Sequence, residues 1–138
     1  MKYKRRISLL MISVMAILGI TGCKGEENMK KAVHYEQISQ DEAKKIMEEE
    51  DNYIILDVRT IEEYDDSHIA GAICVPNETI IDTAPIELPD KDQLILVYCR
   101  SGNRSKQAAD KLANLGYHNI KEFGGINTWQ YEIESSSH

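Results

Sequence analysis

Leu94-Ile95-Leu96-Val97-Tyr98-Cys99-Arg100-Ser101-Gly102-Asn103-Arg104-Ser105 is the stretch on which the fold turns. Leu94–Tyr98 is an unbroken apolar run, as expected of a strand buried on both faces. The residues after it lead into 104–115, where Ala108, Leu112 and Leu115 share one helical face and Gly116 stands at the C′ position. A buried strand passing through a short loop into an amphipathic helix is the repeating unit of a parallel α/β sheet.

The same pattern extends on both sides. Upstream, 33–38 alternates apolar and polar residues, and Ser39-Gln40-Asp41-Glu42 is a capping box that predicts a helix through Glu49. Tyr53–Leu56 reads as a second doubly buried strand, and Thr60-Ile61-Glu62-Glu63 is a second capping box opening a short helix. Ala72–Val75 is a strand stopped by Pro76, and 77–92 is loop-like, with a short apolar piece at 79–81. Downstream, 119–123 predicts a last strand, Gly124-Gly125 a turn, and 126–133 a closing helix anchored in the core by Trp129. Strands alternating with helices over this length give an α/β domain with a central parallel sheet flanked by helices.

Chemistry concentrates in the loop. A thiol where a strand ends and a helix begins faces unpaired backbone N–H groups and the positive end of the helix dipole. Arg100 and Arg104 add two cations, and the three effects together favour the thiolate of Cys99 and make it a nucleophile. Gly102 permits the backbone to curl into an anion-binding nest, with Ser101 and Ser105 as hydroxyl donors and Asn103 completing the loop. Asp57 and Arg59 follow another buried strand, so they lie near the same sheet edge. They read as an ion pair that fixes the turn, with support of the loop as the second role. His68 reads as a structural hydrogen-bonding residue, and Cys74, between Ile73 and Val75, as a buried inert thiol. A thiol resolving Cys99 is the other reading of Cys74. His34, His118 and His138 have no ligand spacing, so neither a metal nor a cofactor is expected.

Composition narrows the partners. The chain has 138 residues and a formal net charge of −7, enough for one domain. Residues 1–22 hold four basic side chains and no acid, which leaves 12 basic against 23 acidic side chains in the remainder. A body this acidic repels nucleic acid. Three cysteines are too few for a disulfide framework. At the N-terminus, Lys2, Lys4, Arg5 and Arg6 precede the apolar run 7–20, which reads as a secretory signal too short for a comfortable membrane span. Cys23 directly after Thr21-Gly22 resembles the lipobox of bacterial lipoproteins. That likeness implies a signal peptide over 1–22, lipidation at Cys23, a polar tether over 23–32 and a domain over 33–135, anchored extracytoplasmically to the bacterial cell membrane.

The domain itself resembles a single-domain rhodanese, of the thiosulfate sulfurtransferase family. Leu56-Asp57-Val58-Arg59, Glu63-Tyr64 and His68-Ile69-Ala70-Gly71-Ala72 carry the first part of the likeness. Cys99–Ser105 carries the second, and Leu115-Gly116-Tyr117, Gly124-Gly125-Ile126 and Trp129 the third. The resemblance implies a three-layer domain in which Cys99 takes a sulfane sulfur from a small sulfur-containing anion such as thiosulfate. The resulting persulfide passes the sulfur to cyanide or a thiol, with Arg100 and Arg104 holding the donor's sulfonate. Phosphatases and arsenate reductases of the same fold place five residues between cysteine and arginine, whereas four separate Cys99 from Arg104. A non-catalytic persulfide carrier or thiol-redox binding module is the remaining alternative.

Overall fold

The computed structural model describes residues 34–136; the segments assigned to the signal peptide, to lipidation at Cys23 and to the whole tether, and His138, lie outside the described residues. Five parallel strands form the central sheet: β1 (Glu36–Gln37), β2 (Tyr53–Asp57), β4 (Ile73–Cys74), β5 (Leu94–Cys99) and β6 (Ile120–Gly125), in the order β1-β6-β5-β2-β4. β5 lies at the centre, paired with β2 from Tyr53↔Leu94 to Asp57↔Tyr98 and with β6 on its other side. The unbroken apolar run 94–98 therefore occupies the central strand of the sheet, with Ile95 to Tyr98 fully buried.

Alternation along β5 divides the core in two. Ile95, Val97 and Cys99 pack with Leu56, Val58 and the face of α3 (Asn103–Asn114) formed by Ala108, Ala109 and Leu112. Leu96 and Tyr98 pack on the opposite face with Ala43 of α1 (Gln40–Glu49), Ile55 and Phe123. The result is a three-layer α/β domain, as the sequence implied. Both capping boxes form: Ser39 and Glu42 open α1, and Thr60 and Glu63 open α2 (Ile61–Asp66). The loop after Pro76 begins with a 3-10 turn, Asn77–Thr79, and sends Ile80 and Leu88 into the core.

The closing helix expected over 126–133 does not form. A 3-10 turn at Ile126–Thr128 is followed by extended chain and by β7 (Ile133–Glu134), which pairs antiparallel with β3 (His68–Ile69). Ile126, Trp129 and Ile133 have helical spacing, but Gly125 supplies no side-chain cap. Trp129 is instead laid against Phe123, with ring centroids 5.5 Å apart, and edge-on to Tyr131 at 4.9 Å. Ladder bonds to β3 replace the helical ones, so Trp129 anchors an extended strap rather than a helix.

Candidate active site

Cys99 ends β5 on the carboxyl edge of the sheet, its side chain on the α3 face and almost fully buried. Beyond it the chain must reverse within three residues to start α3. Gly102 makes this possible with φ 104, a left-handed conformation in which a Cβ is costly. The turn aims the Gly102 N–H at Cys99 Sγ, with N···S 3.0 Å. Gly102 offers no side chain, and α3 accordingly starts without a side-chain cap.

The floor of the loop is built by β6. Between Val97↔Glu122 and Cys99↔Gly125, β5 advances two residues and β6 three, a bulge absorbed by Gly124 at φ 92. The bulge turns the buried Glu122 carboxylate toward the loop, where it accepts the Gly124 N–H at 2.9 Å and the Ser105 hydroxyl at 2.5 Å. Ser105 Oγ also lies 3.4 Å from Cys99 Sγ. The hydroxyl thus stands between sulfur and carboxylate and can turn its one proton to either. Gly125 is needed for a different reason: a Cβ there would stand 2.0 Å from the Arg100 carbonyl oxygen. The loop rests directly on that backbone, and the Asn127 N–H holds the Arg100 carbonyl at 3.2 Å.

The charged residues sort into three groups. Asp57 and Arg59 form a buried pair with Nη2···Oδ2 2.6 Å, and Arg59 also donates to the Ser67 carbonyl at 2.6 Å. The Tyr98 hydroxyl donates to Asp57 Oδ2 at 2.6 Å and accepts the Ile69 N–H at 3.0 Å; burial, then Asp57, pushes that phenol up, so it stays protonated. This is the turn-fixing ion pair expected from the sequence. Arg104 reaches the loop already engaged, its two terminal nitrogens on Glu63 at 2.7 and 2.9 Å. That fork of Arg104 holds the Glu63 carboxyl down at about 2, helped by the Thr60 N–H. Arg100, Ser101 and Asn103 are exposed on the rim. Arg100 makes no ion pair among the described residues, and it lines an open cleft of about 350 Å³ together with Arg59, Glu63, Asp66 and Asn127.

His68 is structural in its contacts: Nδ1 meets the Tyr64 carbonyl at 2.7 Å, Nε2 meets Glu134 at 3.2 Å, and its ring stacks on Tyr64. Cys74 is half-buried, and burial pushes its thiol up to about 12. The register Cys74↔Asp57↔Tyr98 places β2 between its strand and β5. Two strand spacings are ~10 Å, beyond the ~7 Å Cα limit for a disulfide. Glu122, the Glu63–Arg104 fork and the Gly125 contact escaped the sequence reading. Glu122 left the only trace, an acid on the inward period of an otherwise buried strand.

Comparison with known proteins agrees with this geometry. The Rhodanese-like domain model matches residues 39–132. The chain is 35% identical over 71 residues to the thiosulfate sulfurtransferase PspE of Escherichia coli, covering 51% of this chain and 68% of that protein. It is also 35% identical over 97 residues to the adenylyltransferase and sulfurtransferase UBA4 of Candida albicans, covering 65% of this chain but spanning only 22% of that longer protein. The crystal structure of a rhodanese-like domain protein from Staphylococcus aureus superposes with a TM-score of 0.65 at 30% identity, over 74% of this chain and 99% of that one. With the family model covering most of the chain and the fold shared, this protein belongs to the rhodanese-like domain family.

Proposed function

We propose that the protein is a sulfurtransferase in which Cys99 carries the sulfur. The observation that supports this most is the Gly102 N–H aimed at Cys99 Sγ at 3.0 Å, inside a loop seated on the N-terminus of α3. A backbone donor fixed on sulfur stabilises the thiolate before attack and the terminal sulfur's charge afterwards. In the first half-reaction the Cys99 thiolate attacks the outer sulfur of a donor such as thiosulfate. A new S–S bond forms, the donor's S–S bond breaks, and sulfite leaves with the electron pair. In the second, cyanide or a thiol removes the outer sulfur and returns the thiolate, a covalent relay with ping-pong kinetics. Arg100, free on the rim, meets the donor's anionic end. Ser101, Gly102 and Asn103 shape the loop around it, Ser105 stands beside the sulfur, and Asp57 and Arg59 hold the neighbouring turn.

The basic, apolar N-terminal segment and Cys23 after Thr21-Gly22 support the further reading that the domain works outside the cytoplasm, tethered to the membrane through a lipidated Cys23. Replacing Cys99 by Ser tests the enzymatic reading. The variant is expected to lose thiocyanate formation from thiosulfate and cyanide by at least about a thousandfold while its unfolding midpoint stays near wild type. Activity within tenfold of wild type would remove Cys99 from the reaction.

A further inference from the structure

Glu122 is a buried charged group to which the sulfur chemistry gives no task. It reaches from β6 to the base of the loop and is 3% exposed. One carboxylate oxygen, Oε1, accepts both the Gly124 N–H at 2.9 Å and the Ser105 hydroxyl at 2.5 Å. Lys106 lines the same open cleft, yet Glu122 makes no ion pair among the described residues. A carboxylate buried without a cation is costly, so its presence at this point calls for a cause. Ser105 has one proton and four acceptors within reach. Glu122 Oε1 lies at 2.5 Å, the Gly102 carbonyl at 2.9 Å, and the Gly124 carbonyl and Cys99 Sγ each at 3.4 Å. The nearest acceptor is also charged, and a charge-assisted hydrogen bond is about twice as strong as a neutral one. The proton therefore lies on the Glu122 side, and Ser105 turns a lone pair to the sulfur. Only this hydroxyl separates the carboxylate from Sγ.

We propose that Glu122 is a positioning residue that biases Cys99 toward its persulfide state, by withholding the Ser105 proton from the sulfur and setting a negative charge behind it. This rests on the sulfurtransferase reading and deepens it. When the Cys99 thiolate attacks thiosulfate, a new S–S bond forms, the donor's S–S bond breaks and sulfite leaves with the electron pair. No proton moves. The negative charge of the site passes from Sγ to the outer sulfur, one bond of about 2 Å away. Ser105 covers the Glu122 side of Sγ, so the outer sulfur is added on another side and its charge lies farther from the carboxylate. Glu122 thus opposes the free thiolate more than the persulfide. A site poised in this way holds its sulfur until an acceptor removes it.

The test is the equilibrium constant of the first half-reaction. The full chain is mixed with thiosulfate and sulfite in set ratios at about pH 9, where an ordinary thiol is mostly ionised, and the persulfide fraction at Cys99 is read by mass spectrometry. Glu122→Gln keeps an oxygen for the Gly124 N–H, removes the charge and releases the Ser105 proton to the thiolate. Its constant is expected to fall about tenfold. Glu122→Asp shortens the side chain but keeps the charge, and is expected to stay within about threefold of wild type. Glu122→Leu removes the carboxylate with little change in volume. It should fall by about the same tenfold, an independent reading should Glu122→Gln fail to fold. A constant within about threefold of wild type in folded Glu122→Gln or Glu122→Leu overturns the role of Glu122 while leaving Cys99 chemistry standing. An equal fall in Glu122→Asp, which traces the effect to packing rather than charge, overturns it too. No sulfur uptake by the wild-type chain overturns both this role and the sulfurtransferase reading.

Discussion

Gly125 shows how much of the site depends on what a residue lacks. Its φ of −134 is open to any side chain, so conformational freedom is not the reason for glycine here. The reason is contact: a Cβ would meet the Arg100 carbonyl oxygen at 2.0 Å and its carbon at 2.4 Å. Both neighbours are backbone, so neither can swing aside as a flexible side chain would. Gly125→Ala must lift the Cys99 loop off β6 and pull Gly102 N–H away from the sulfur. Its expected cost is about 1–3 kcal/mol in urea unfolding, with loss of most sulfur uptake at Cys99 by mass spectrometry. Wild-type uptake in that variant would show that the loop does not need its seat on β6. Cys74 offers the contrast. Its thiol donates to the Arg59 carbonyl over 3.6 Å and is pushed up by burial, which fits the inert role read from its apolar neighbours.

Among the elements, α2 is short but ties the molecule together. Glu63 accepts the Thr60 N–H that opens α2 and the Arg104 fork that begins α3. Its carboxyl therefore sits at about 2 rather than the usual 4.5. A carboxylate held down in the folded state adds stability that is complete above pH 4.5 and is lost as pH falls toward 2. The urea midpoint of the wild-type chain is expected to drop across that interval, and Glu63→Gln to drop less steeply. Parallel slopes would show that the pair is not held in solution. The capping box at Thr60-Glu63 was legible because its partners lie three residues apart. The fork was not, because nothing local relates Glu63 to Arg104. The same distinction explains β7: Ile126, Trp129 and Ile133 match a helical period, and only the distant β3, through Ile69↔Ile133, makes extended chain the better solution. Cys99–Ser105 could be read directly, since a loop between a buried strand and a helix announces its own geometry, whereas Glu122 acquires its role only through a bulge against β5.

At the scale of the whole molecule, a net-negative domain carries its chemistry at one edge of a sheet, and the basic, apolar start of the chain supplies the proposed address. If Cys23 carries the anchor, Cys23→Ala should move the protein from the membrane pellet to the soluble fraction of fractionated cells. Continued sedimentation with membranes would show that the lipobox likeness is incidental. The anchor and the sulfur chemistry are separable, so neither result alters what is expected of Cys99. That expectation is tested most directly by intact-mass and peptide mass spectrometry of the full chain after incubation with thiosulfate and removal of excess donor. A gain of about 32 Da, one sulfur atom, located on Cys99 and discharged by cyanide is the predicted result. An unchanged mass at Cys99, or a sulfur found on Cys74 instead, would contradict the account.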